Sequence, residues 1–154
     1  MLDKFTNWIK WEDRNELEGI NYPGIYCIAV SNNLLNTFSF IPKLKYIGMT
    51  NSKGGLKNRL NQFSATIRMK SINHGGADRF LYDYQNYDEV KDKLYVAIYS
   101  FKCDTKNPSP IDLRIMGDVA KCEYDCWATY IEIIGRYPKF NDMNNSPKYS
   151  KIKR

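Results

Sequence analysis

No apolar run in the chain is long enough for a membrane span or the core of a signal peptide. The first twenty residues, MLDKFTNWIKWEDRNELEGI, break their apolar positions with charge every few residues. Internal repeats, low-complexity tracts and long linkers are also missing, so residues 1–154 are expected to form one domain, large enough to bury a core. The four cysteines, Cys27, Cys103, Cys122 and Cys126, lie in apolar or helical contexts without a small-domain disulfide pattern. That excludes a disulfide-stapled scaffold and points to reduced thiols in a cytoplasmic protein. Cys122 and Cys126 are one turn apart and could share a zinc with Cys103, but without a second pair they read as buried packing.

Two nucleotide-binding patterns are absent as well. The stretch KYIGMTNSKGGLKNRL, Lys45 to Leu60, passes from strand-like through a glycine pair to helix-like, an order that commonly cradles phosphate. A Walker loop places its lysine directly after the second glycine. Here Gly48 is followed by Gly54 and Gly55, the next lysine is Lys57, and Asn58 stands where a metal-binding hydroxyl belongs. The dinucleotide spacing G-x-G-x-x-G is missing too. A phosphate, if bound, is held in another way.

What is present is basic and aromatic. A net charge of +6 and a pI near 9.1 accompany 12 tyrosines and 3 tryptophans. Such a mixture suits phosphates and stacking on bases, although most of these aromatics read as core and strand residues. Residues 3–18 fit a short amphipathic helix using Phe5, Trp8, Ile9 and Leu17, within an N-terminal helical extension of about residues 1–20. Strands are expected at Gly24–Val30, at KYIGM (residues 45–49) and at Lys93–Phe101. Leu56, Leu60, Phe63 and Ile67 make a helical stripe, and Leu113–Gly135 is the longest helical pattern, ended before Pro138. INHGGAD breaks the first helix, and DRFLYDYQNY suits a short further turn of helix. Strands and helices out of strict alternation argue an α+β fold with a small antiparallel, three-stranded sheet flanked by helices.

Two triplets stand out: GIY at Gly24–Tyr26 on the first strand and YIG at Tyr46–Gly48 on the second. Arg59 follows in the first helix, Glu132 in the long helix, and Asn141 after the YP that ends it. This order resembles the GIY-YIG nuclease superfamily over Gly24–Asn141. The resemblance implies the GIY-YIG fold, with the two tyrosines on adjacent strands beside the arginine and a helical glutamate as the one protein ligand of a divalent metal. It implies a divalent-metal-dependent endonuclease hydrolysing DNA phosphodiesters, with Mg²⁺ or Mn²⁺ as cofactor and no organic cofactor or membrane partner. Carried over residue by residue, Tyr26, Tyr46, Arg59, Glu132 and Asn141 are the expected site. Nineteen residues, Cys27–Lys45, separate the triplets, longer than in compact relatives; either this insertion or the 70–92 segment would shape substrate choice.

The chemistry is sensible without the family name. Hydrolysis needs an activated water, charge on the non-bridging oxygens and help for the leaving alkoxide. Arg59 offers a fork of donors, and one carboxylate suffices for Mg²⁺, which keeps its remaining waters. No acidic cluster of the two-metal kind is visible, which favours one metal. Tyr26, a phenol with an ordinary pKa of about 10, is a poor base unaided; the resemblance implies that it acts as general base or orients the water, with Tyr46 positioning water or phosphate.

His74, the only histidine, is either a proton relay behind Tyr26 or a surface turn residue. Glu132 lies between Ile131 and Ile133, unusual for a solvated glutamate; Glu123, nine residues earlier, projects from the opposite side and is set aside, whereas Asp125 could assist. Lys53 and Lys57 beside the glycine pair, with Lys148, Lys151 and Lys153 in the basic tail (about residues 142–154), are candidate nucleic-acid contacts; the tail suits backbone contact or a frayed end equally. The competing class is a catalytically silent nucleic-acid-binding module on the same fold.

Overall fold

GIYCIAV forms the central strand, and everything else is arranged around it. A computed structural model describes residues 1–152. Its strands are β1 (Ile9–Lys10), β2 (Gly24–Val30), β3 (Leu44–Thr50) and β4 (Leu94–Ser100). Its helices are α1 (Gly55–Ile67), α2 (Gly75–Asp83), α3 (Tyr87–Val90), α4 (Pro110–Ile134) and α5 (Tyr149–Ile152). The strands form one antiparallel sheet in the order β1-β4-β2-β3, so the fold is α+β. The sheet has four strands where three were expected. The addition is β1, whose Ile9 and Lys10 pair with Val96 and Tyr95 of β4.

That strand also replaces the expected N-terminal helix, leaving only 3₁₀ turns at Leu2–Lys4 and Trp11–Glu16. The tryptophans explain why. Trp8 belongs to one apolar core and Trp11 to the other, whereas a helix would put residues three apart on the same face.

Alternation along β2 creates those two cores. Tyr26 and Ile28 pack with Leu56, Leu60, Phe63 and Ile67 of α1 and Phe80 of α2. Ile25, Cys27 and Ala29 face the other way, onto Val119, Cys122, Cys126 and Tyr130 of α4. The insertion between the triplets completes the second core. Phe38 stacks on Phe5 at 4.0 Å between ring centres, and Phe40 meets Tyr130 edge-on. It lies across the sheet from Tyr26, while the 70–92 segment lies on the same side.

α4 begins three residues before the expected start. Ser109 and Asp112 cap it reciprocally, with Pro110 in the first turn, and Gly135 closes it in the left-handed region at φ 91°. Trp127 Nε1–H donates to the Ile47 carbonyl and Asn51 Nδ2–H to that of Met116, which bind α4 to the edge strand β3. The described part of the tail is docked, not frayed: the N–H and O–H of Ser150 donate to the Asp78 carboxylate on α2. Among the described residues no helix is long and apolar enough to cross a membrane.

Candidate active site

The sheet register sets the two tyrosines side by side. Tyr26 of β2 stands opposite Gly48 of β3, and Tyr46 opposite Ile28, leaving the rings 6.0 Å apart on one face. Gly48 has no room for a side chain, since a Cβ there would lie 2.5 Å from the end of the Tyr26 ring and 2.8 Å from Tyr46. Gly76 closes in from α2, where a Cβ would lie 2.4 Å from the Tyr46 ring. Two glycines therefore clamp the tyrosine pair.

His74 is neither a surface residue nor a plain turn. It caps α2, with Nδ1 accepting from the Ala77 N–H at 3.2 Å. A backbone N–H can only donate, so the proton of the neutral ring resides on Nε2. Nε2–H then donates to the Tyr26 oxygen at 2.6 Å. Burial, and secondly the charge of Arg59, push the His74 pKa down to about 3, so the ring is neutral at physiological pH. As a donor it cannot take the Tyr26 proton in this tautomer. It holds the phenol oxygen in place instead. α2 begins directly after this cap, at Gly75.

Arg59 is the common neighbour. Its Nη1–H donates to Gln62 Oε1 at 2.8 Å, which fixes the fork, and its charge acts on Tyr26, Tyr46, His74 and Glu123 alike. Burial drives the Tyr26 hydroxyl well above the ordinary phenol value; Tyr46 adds to this and Arg59 opposes it. Burial also raises Tyr46, again with Arg59 opposing. Both phenols are neutral near pH 7, which fits Tyr26 as an orienting group better than as a free base.

The glutamate beside this cluster is Glu123. Burial raises its pKa from 4.5 to about 7, and Arg59 partly offsets the rise. Tyr46 also feels its charge. Glu132 is exposed and shares none of these neighbours, so the expectation that it joins the two tyrosines and the arginine is corrected. The half-turn offset between the two glutamates holds; the packed side was misjudged. Val119, Cys122, Cys126 and Tyr130 define that side, and Ile133 is 58% exposed. Asp125 is exposed and paired with Lys121 at 2.8 Å, away from the site.

Asn141 is also reassigned. Its Oδ1 accepts from the Ile47 N–H and its Nδ2–H donates to the Ile47 carbonyl, both at 2.8 Å. The side chain acts as an extra strand partner for the free edge of β3, holding the residue next to Tyr46 rather than facing substrate. Lys53, Lys57 and Lys151 are exposed, Lys148 is half-buried, and Lys153 lies outside the described residues. A cavity of about 600 Å³ edged by Lys53, Lys102 and Lys106 lies elsewhere, lined by none of the clustered residues. All four cysteines are free thiols, three of them buried.

Glu123 is the side chain at Arg59 suited to a metal. Its half-buried carboxylate accepts no hydrogen bond from any described residue, and burial disfavours its charge. A hard divalent cation would add to the positive charge of Arg59 while keeping most of its own waters. Among the described residues no three His, Cys, Asp or Glu side chains converge as a metal cluster. No family model, curated protein or solved structure matches the chain.

Proposed function

We propose that the chain is a divalent-metal-dependent endonuclease cutting DNA phosphodiesters, with a site of the GIY-YIG kind. One observation carries the reading: a single arginine, Arg59, stands among two tyrosines, a buried histidine and a carboxylate, and its charge acts on all four. Arg59 presents its free N–H groups to the scissile phosphate, with Gln62 fixing the fork's orientation. His74 donates to the Tyr26 oxygen, whose remaining lone pair accepts from the attacking water and aims it. Tyr46 stands beside Tyr26 on the same face of the sheet and contacts water or phosphate. Glu123 would hold Mg²⁺ or Mn²⁺, which when bound supplies Lewis-acid stabilisation of the developing phosphate charge. With such an ion bound, Glu123 would stay ionised at neutral pH.

The silent-module reading draws on one observation of its own, the burial of Tyr26 to about 1% exposure. Plasmid nicking by the purified protein separates the two. The nuclease reading expects Mg²⁺-dependent nicking that Glu123→Gln abolishes and Glu132→Gln leaves intact. Loss with Glu132→Gln and retention with Glu123→Gln would refute the assignment.

A further inference from the structure

The chain's two glycine pairs open helices in opposite ways. At Gly54–Gly55 the start of α1 is closed: the N–H groups of Gly55, Leu56 and Lys57 donate to the carbonyls of Ser52, Tyr22 and Ile20. A Cβ on Gly55 would lie 2.4 Å from the Asn21 carbonyl oxygen, so this pair serves a close backbone crossing and offers no phosphate cradle.

At Gly75–Gly76 the start of α2 is open. His74 accepts the Ala77 N–H on Nδ1 and the Asp78 N–H on its carbonyl. The N–H groups of Gly75 and Gly76 have no acceptor among the described residues. Two cations converge on the same turn. From a Cβ position on Gly75, Arg79 Nη1 is 3.5 Å away and Lys148 Nζ 3.7 Å away. Arg79 is 8% exposed, its Nε is buried without an acceptor, and neither cation pairs with a described carboxylate. Asp78, the acid of this turn, is committed to Ser150, the contact that brings Lys148 alongside. A buried guanidinium without a counter-charge is costly, and the vacant amides and the helix dipole favour the same sign of ligand.

We propose that the Gly75–Gly76 turn is a second phosphate site. It holds a phosphodiester of the bound strand next to the one that Arg59 receives, through the two glycine amides, Arg79 and Lys148. The inference rests on the nuclease reading, and it adds how the strand is registered on the enzyme. Gly76 touches the Tyr46 ring, so the turn adjoins the tyrosine pair directly. An absent side chain at Gly75 leaves the phosphate access to both cations.

The test is a cycle between protein and strand, using the full chain without divalent metal so that nothing is cut. Single phosphates around the mapped cleavage position are replaced in turn by neutral methylphosphonate, and affinity is measured for the wild type and Lys148→Gln. At one position flanking the cut, the wild type should lose about tenfold in affinity, as expected for a lost charge-assisted contact. Lys148→Gln should lose several-fold with the native strand, and that methylphosphonate should then cost it less than it costs the wild type, because Arg79 and the amides still hold the phosphate. Arg79→Lys, which keeps the charge but removes the fork, should show the same pattern at that position. Additive losses at every position, with cleavage intact, would overturn the second site alone. A protein that bound no strand at all would overturn the nuclease reading together with it.

Discussion

Replacing Glu123 by Gln should stabilise the protein at pH 8 and leave it unchanged at pH 4. Folding raises the carboxyl from 4.5 to about 7, with burial as the main cause. A raised acid favours the folded state while protonated. That advantage is complete below about pH 4.5 and is lost as pH rises through about 7. At about 1.4 kcal/mol per pH unit, the ionised carboxylate costs the fold at most about 3.5 kcal/mol. Water reaching the open side of this half-buried group cuts that to about 1–2 kcal/mol. Gln keeps the shape and never ionises, so in metal-free buffer at pH 8 it should raise the melting temperature by roughly 2–8 °C for a domain of this size. His74 titrates in both proteins and cancels in the comparison. Thermal melts of both proteins from pH 4 to 8 without divalent ions would show the gap opening across that window. Added Mg²⁺ should then stabilise the wild type and not the variant. A gap independent of pH, or a variant less stable at pH 8, would refute the argument.

Two other perturbations probe the scaffold. Nitrogen NMR of His74 should report the neutral tautomer protonated on Nε2 from pH 5 to 8; a ring that titrates near 6.5, or carries its proton on Nδ1, would remove the donor to Tyr26. Asn141→Ala should cost about 1–3 kcal/mol through the Ile47 amide and carbonyl left without partners, measured by urea denaturation; a loss of nicking without loss of stability would return Asn141 to the site itself.

Strong local signals were legible in the sequence. β2 was expected at its observed limits, β4 within one residue at each end, and the α1 stripe of Leu56, Leu60, Phe63 and Ile67 is buried throughout. What escaped depended on tertiary partners. β1 exists because β4 offers a free edge, which two residues cannot announce on their own. The choice between Glu123 and Glu132 turned on which side of α4 meets the sheet, and apolar neighbours in sequence misled where Ile133 proved exposed. His74 was visible as a residue, but its role was not. It required the Ala77 amide to fix the ring and the chain reversal after α1 to bring it to Tyr26. Arg79 carried no sequence signal at all; its meaning comes from burial beside Lys148.

The most direct test of the account is single-turnover plasmid nicking in Mg²⁺ by the wild type and Tyr26→Phe. Phe preserves the ring clamped beside Gly48 and removes only the oxygen that His74 holds. The account predicts metal-dependent nicking by the wild type. For Tyr26→Phe it predicts unchanged DNA affinity and a rate lower by at least about 10²-fold. A wild-type protein that nicks nothing in Mg²⁺ or Mn²⁺, or a Tyr26→Phe protein that nicks at the wild-type rate, would contradict it.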